Sequence, residues 1–150
     1  MLYATAGCRL FIADSPGEYP PVIPPGFWVE IAETEALGLL GGVWDIEDAG
    51  LVGWGGDGLE APAEQPVKTY LRRSPMAVVM GNDPADPGQL ILYKAWQSTS
   101  HFPFRMIFAD GETIRSWRAI VTGLFEVFDM ANGVMKLQAD ILPISTIIRT

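Results

Sequence analysis

The sequence predicts a mainly β domain with one helix, on three observations. Short runs of alternating apolar and polar residues recur along the 150 residues. Asp110-Gly111 and Asn132-Gly133 stand between such runs as hairpin turns, and only one segment carries helix-capping chemistry. One domain, residues 1–150, is expected, since this length can bury a core without metals or disulfides.

The elements follow in order. Cys8 to Ala13 is a short apolar run that reads as the first strand. Pro16, Gly17, Pro20, Pro21, Pro24, Pro25 and Gly26 come next, and no helix runs through them. In Phe27 to Ala32, Trp28 and Glu30 fall on one side and Phe27, Val29 and Ile31 on the other, the pattern of a half-buried strand. From Glu33 to Glu64 eight of the sixteen glycines appear, mixed with Leu37, Leu39, Leu40, Val43, Trp44, Leu51, Val52 and Trp54. A flexible linker lacks such leucines and tryptophans, and a stable strand pair carries fewer glycines. This segment, about residues 33–64, is expected as a long loop or extended hairpin.

Gln65 to Arg73 and Pro75 to Gly81 are two further strands, the second holding an apolar run, Met76 to Met80, suited to burial on both faces. The helix then spans about residues 87–97. Asp86 is its cap, Pro87 fits the first helical position, and Gln89, three after Asp86, completes a capping box. Leu92, Ala95 and Trp96 fall at helical spacing to pack on a sheet, and Lys94 suits the carboxyl end of the helix dipole. His101 marks the turn into the next strand. There Phe102, Phe104, Met106 and Phe108 alternate with Pro103, Arg105, Ile107 and Ala109 before Asp110-Gly111. Strands from Glu112 toward Val121 and from Leu124 to Phe128 lead to Asn132-Gly133. Beyond it Met135, Leu137, Ala139 and Ile141 alternate with Val134, Lys136, Gln138 and Asp140, and Pro143 closes the pattern.

Composition excludes several classes of function. With 49% apolar and 19% charged residues the chain is too hydrophobic for a disordered protein. It has no uninterrupted apolar run of membrane-spanning length, so no membrane insertion is expected. Met1 to Gly7 show no basic segment followed by an apolar core, so synthesis in the cytoplasm is expected. The charge is divided unevenly: up to Pro66 there are eleven acids and one base, and from Val67 onward seven acids and nine bases. A net charge of −8 argues against a surface that grips phosphate backbones. It suits a surface that stays soluble, or one that lies beside DNA without holding it.

Catalytic signatures are sparse. The single histidine, His101, rules out His-based zinc sites and Ser-His-Asp triads within one chain. The single cysteine, Cys8, reads as packing rather than a nucleophile, and it cannot form an internal disulfide. Gly53, Gly55, Gly56 and Gly58 lack the Lys-Ser or Lys-Thr pair of a phosphate-binding loop. Asp110 with Glu112, or Asp45 with Glu47 and Asp48, could form a carboxylate pair for hydrolysis, but Asp110 is needed by the turn and clustered loop acids are usually solvated. Asp45, Glu47, Asp48 and Asp57 do not have the spacing of an EF-hand calcium loop. No enzymatic activity, metal or cofactor is expected.

Taken in order, the short first strand at Cys8 to Ala13, the strand Trp28-Val29-Glu30-Ile31, the long glycine-rich segment, the capped helix, the Phe-rich strand ending Ala109-Asp110-Gly111 and the closing Gly133-Val134 hairpin resemble a family. It is that of the major tail tube proteins of long-tailed, non-contractile bacteriophages and related gene transfer agents. The resemblance covers most of the chain and rests on order and size; the Pro16 to Gly26 segment has no clear counterpart. It implies a β-sandwich or half-barrel with one flanking helix and kinship with type VI secretion tubes. Function follows from it: a structural subunit forming homo-hexameric rings, stacked into a hollow tube that conducts DNA out of the particle and meets other tail proteins at its ends.

On that reading Leu37, Leu39, Leu40, Val43, Trp44, Leu51, Val52 and Trp54 form the contact with a neighbouring subunit or ring, because aromatic anchors commonly dominate such contacts. The acids Asp45, Glu47, Asp48 and Asp57 face the lumen or solvent. A ligand-binding β-domain, with the Trp- and Gly-rich segment as a lid, is the competing reading.

Overall fold

The computed structural model of the chain describes residues 5–16, 27–48, 66–128 and 133–150. The Phe-rich pattern forms the middle of a sheet. Strand β1 (Arg9–Ala13) pairs antiparallel with β2 (Trp28–Glu30), and β3 (Thr34–Ala36) follows after three residues. Strands β4 (Gly42–Asp48) and β5 (Pro66–Arg73) pair only with each other, and β6 (Met76–Gly81) precedes helix α1 (Pro87–Gln97). The remaining strands are β7 (Phe102–Ile107), β8 (Ile114–Val127), β9 (Lys136–Pro143) and the short β10 (Ile148–Arg149).

Among the described residues the main sheet runs β2-β1-β7-β8-β9-β6-β3, with β10 beside the start of β8. Its two outermost strands, β2 and β3, are joined by Ile31, Ala32 and Glu33 alone. The sheet order is therefore nearly circular, and the expected half-barrel with one helix is what the chain builds. Glu33 turns the corner with φ 62°, a left-handed conformation uncommon outside glycine, and its carbonyl accepts from Gly81 N at 2.8 Å, extending the β3–β6 pairing.

The N-terminal end of helix α1 meets that link. Asp86 Oδ2 accepts from the backbone N–H of Gln89 and, equally at 3.1 Å, from that of Ala32 between the edge strands. Gln89 Nε2 donates to the carbonyl of Gly81 at 2.8 Å and to that of Ala32 at 3.3 Å, while its Oε1 accepts from Asp83 N at 3.1 Å. Half of the expected capping box is thus present: Asp86 caps, but Gln89 reaches across to the end of β6 and to the β2–β3 link instead of back to Asp86. Gly88 lets the helix lie on β2, for a Cβ there would stand 2.2 Å from the Glu30 carbonyl oxygen.

Alternation is what fills the core. Leu10 and Ile12, Phe102 and Phe104, Trp117, Ala119 and Val121, Leu137, Ala139 and Ile141 all turn inward, with Leu92 and Ala95 of α1 over them. Phe104 and Trp117, paired across β7 and β8, stack with ring centroids 6.2 Å apart. Four expectations need correction. Strand β6 buries one face only, since Ala77 between Met76 and Val78 is exposed. Trp96 does not join Leu92 and Ala95 on the sheet; it stays 40% exposed, its ring tilted against Tyr93 at 5.6 Å. The two strands expected at Glu112 to Val121 and Leu124 to Phe128 are one, β8, with a shift of register against β9 between Val121 and Gly123. Finally, residues 33–64 are not one element: their start is β3, paired with β6 in the main sheet, and β4 completes its hairpin with β5, outside that stretch.

Candidate assembly interface

The ribbon of β4 and β5 is the most unusual surface of the molecule. Its register is Gly42 with Arg73, Val43 with Arg72, Trp44 with Leu71, Ile46 with Lys68 and Glu47 with Val67, with an irregularity between Trp44 and Ile46. Beyond each other, neither strand makes substantial contact with any other described element. A lone two-stranded ribbon is at best marginally stable in water. This one nevertheless carries apolar side chains outward: Val43 is 67%, Ile46 65%, Tyr70 71% and Trp44 41% exposed, with Val67 also exposed.

Polar contacts hold the ribbon in shape without covering those side chains. Asp45 Oδ2 accepts from Arg72 Nε at 2.8 Å, Thr69 Oγ1 donates to the Asp45 carbonyl at 3.2 Å, and Lys68 Nζ lies 5.4 Å from the Trp44 ring centroid. Gly42 has no room for a side chain, since a Cβ would stand 2.4 Å from the Arg72 carbonyl oxygen. Its base is anchored differently. Leu37 is buried in the core of its own chain, and Leu40 packs partly against that core. Gly38, at φ 72°, passes so close to β6 that a Cβ would meet Ala77 N at 2.8 Å.

Of the residues expected to make contact with a neighbour, Leu39, Val43 and Trp44 are exposed, while Leu37 and Leu40 attach the ribbon to its barrel. Leu51, Val52 and Trp54 lie outside the described residues. Among the acids, Asp45 is tied to Arg72 and Glu47 is exposed. Asp48 stands at the end of β4, and Asp57 lies outside the described residues. No group of three or more metal-ligating side chains forms among the described residues.

Sequence reasoning missed three further exposed apolar groups. Leu90, Tyr93 and Trp96 form a stripe along the outer side of α1. Its spacing of three residues was legible, but Trp96 was assigned to the opposite face. Val67 and Tyr70 extend the ribbon surface, and Phe125, Phe128, Val134 and Met135 are exposed at the β8–β9 end. Strand alternation marked those residues as apolar without saying that nothing covers them.

At the level of sequence, no family model and no curated protein matches the chain. Solved structures do. The anti-feeding prophage baseplate, six-fold symmetrised, contains a chain 12% identical with TM-score 0.70, covering 100% of this chain and 96% of that one. The tail of an empty GTA particle, refined helically with C6 symmetry, contains one 12% identical with TM-score 0.69, covering 99% of each chain. The SPP1 tail tube subunit is 11% identical with TM-score 0.61, over 99% of this chain and 78% of that one. The chain therefore has the fold of phage-tail and tail-like particle proteins.

Proposed function

We propose that the chain is a structural subunit of a phage-like tail that assembles with copies of itself into stacked rings forming a hollow tube. The observation that carries this reading is the fold likeness, which spans 99% or more of the chain in a tail, a tail tube and a baseplate. The six-fold symmetry of the first and the C6 symmetry of the GTA tail support a homo-hexameric ring. The standing ribbon supplies the physical motive. Its exposed Val43, Trp44, Ile46 and Tyr70 lose unfavourable contact with water only when another surface covers them.

On this reading Leu39, Val43 and Trp44, together with Leu51, Val52 and Trp54, meet a neighbouring subunit or the next ring, and other tail proteins meet the ends of the tube. DNA passes through the channel without being held, in keeping with a net charge of −8. The subunit is made in the host cytoplasm and ends in the tail of a phage or gene transfer agent particle. The role needs neither catalysis nor cofactor.

Electron microscopy and sedimentation of the purified protein test this. Rings or tubes are expected. A persistent monomer that binds sugars or apolar dyes would sink the reading and favour a ligand-binding β-domain.

A further inference from the structure

Beside the base of the ribbon, a groove of about 820 Å³ opens between β7, β8 and the C-terminal segment. Three of the chain's ten Lys and Arg residues, Arg73, Arg105 and Arg118, line it, and no Asp or Glu side chain does. All three come from the part of the chain after Pro66, which holds nine of its ten Lys and Arg residues. Arg105 lies against two aromatic rings, its Cζ 4.9 Å from the Phe11 centroid and 4.8 Å from that of Trp28. Among the described residues it has no carboxylate partner, and its Nε is buried without a hydrogen bond. Burial, and then the nearby Arg9 charge, lower its pKa from the ordinary arginine value, as expected for a cation lacking a counter-charge. Arg118 is oriented by His101, whose Nδ1 lies 3.4 Å from its Nη1.

These groups ask for carboxylate-bearing, partly apolar peptide, and the chain itself carries such a segment. Between Ile46 and Lys68 there are five acids, Glu47, Asp48, Asp57, Glu60 and Glu64, against the single base Lys68. The ribbon leads into this segment with exposed Ile46 and Val67. Arg73, at the ribbon's base, lines the groove, whereas Glu47 lies at the far end of the pairing. A donor and an acceptor placed apart on one chain make a head-to-tail contact, the kind that closes rings or extends filaments. We infer that the arginine groove receives the Glu47 end of the β4–β5 ribbon from a second copy of this chain, with Arg105 as the central cation. This rests on the tube-subunit reading and moves Glu47 from the lumen or solvent to the subunit contact.

Directed cross-linking tests it on the full chain. In a Cys8→Ser background, Glu47→Cys is combined with Ser116→Cys, beside Arg105 in the β7–β8 register. Mild oxidation should give a ladder of linked chains on a non-reducing gel, absent from either single variant. Arg105→Glu should abolish the ladder, and Arg105→Met, which keeps the packing, should raise the concentration needed for assembly about tenfold or more. Circular dichroism and melting checks that both remain folded. Wild-type assembly with no ladder, or full assembly of Arg105→Glu, overturns the groove assignment and leaves the tube reading intact. An internally linked monomer assigns the groove to the chain's own ribbon and overturns the proposal. So does duplex DNA binding lost in Arg105→Glu. A wild-type chain that stays monomeric sinks both readings.

Discussion

Asp86 shows how much a single side chain decides here. One carboxylate oxygen caps the helix and also serves the Ala32 N–H between the edge strands. Removing it leaves two donors unsatisfied, one of them at the β2–β3 link. Asp86→Ala should therefore cost about 2 kcal/mol, more than an ordinary cap in an exposed helix, measured as a lower urea midpoint with unchanged slope. An unchanged midpoint would mean the link is held elsewhere. Arg9 and Glu30 make a weaker, titratable contribution. The hydrogen bonds and charge of Arg9, at 2.7 and 2.9 Å, hold the Glu30 pKa below its usual value. A lowered folded-state pKa stabilises above the unfolded-state pKa, and the stabilisation is lost as pH falls through the folded value. Loss should thus appear below about pH 4, and it should be small because the pair is exposed. Glu30→Gln should flatten that part of the melting-temperature profile. A profile identical to wild type would remove the pair from the account.

At the scale of the element, the ribbon and the helix solve opposite problems. Helix α1 buries Leu92 and Ala95 and bridges strand edges, so its position follows from the core. Strands β4 and β5 bury little in their own chain, so the core gives them no reason to keep their apolar residues. Trp44→Ala should consequently leave the melting temperature within about 2 °C of wild type, as for an exposed site. It should nevertheless prevent ring or tube formation by electron microscopy. A large loss of stability would show that Trp44 serves its own subunit, and normal tubes would remove it from the contact. Leu37→Ala should do the reverse, lowering stability by about 2 to 4 kcal/mol because Leu37 belongs to the core.

For the whole molecule, the main consequence is that the chain brings the two ends of its main sheet together at one short link. Strands β2 and β3 share a three-residue link, and Asp86 and Gln89 satisfy the backbone groups there. The edge strands left by this order, β2 and β3, are only three residues long, which limits the edge the main sheet offers to neighbours. The charge distribution bears on the channel. An assembled form of a chain with net charge −8 should retain almost no duplex DNA at physiological salt. Filter binding by purified tubes measures this, and tight binding would mean that the lumen is basic.

The sequence by itself determined most of the strands, the helix and its Asp86 cap, because alternation, helical spacing and capping depend on neighbours a few residues apart. The bounds Pro87–Gln97, the Asp110-Gly111 turn and the inward set Leu137, Ala139 and Ile141 were all legible for that reason. Only the tertiary structure decided which strands became partners. It joined β4 to β5 across the acidic segment, set β2 and β3 at the two ends of the main sheet, and gathered Arg73, Arg105 and Arg118 around one groove. Those are contacts between residues tens of positions apart, and no local pattern encodes them. The same distinction separates Leu37 from Trp44. Both are apolar residues in a glycine-rich stretch, and only the path of the chain over β6 put one in the core and left the other facing outward.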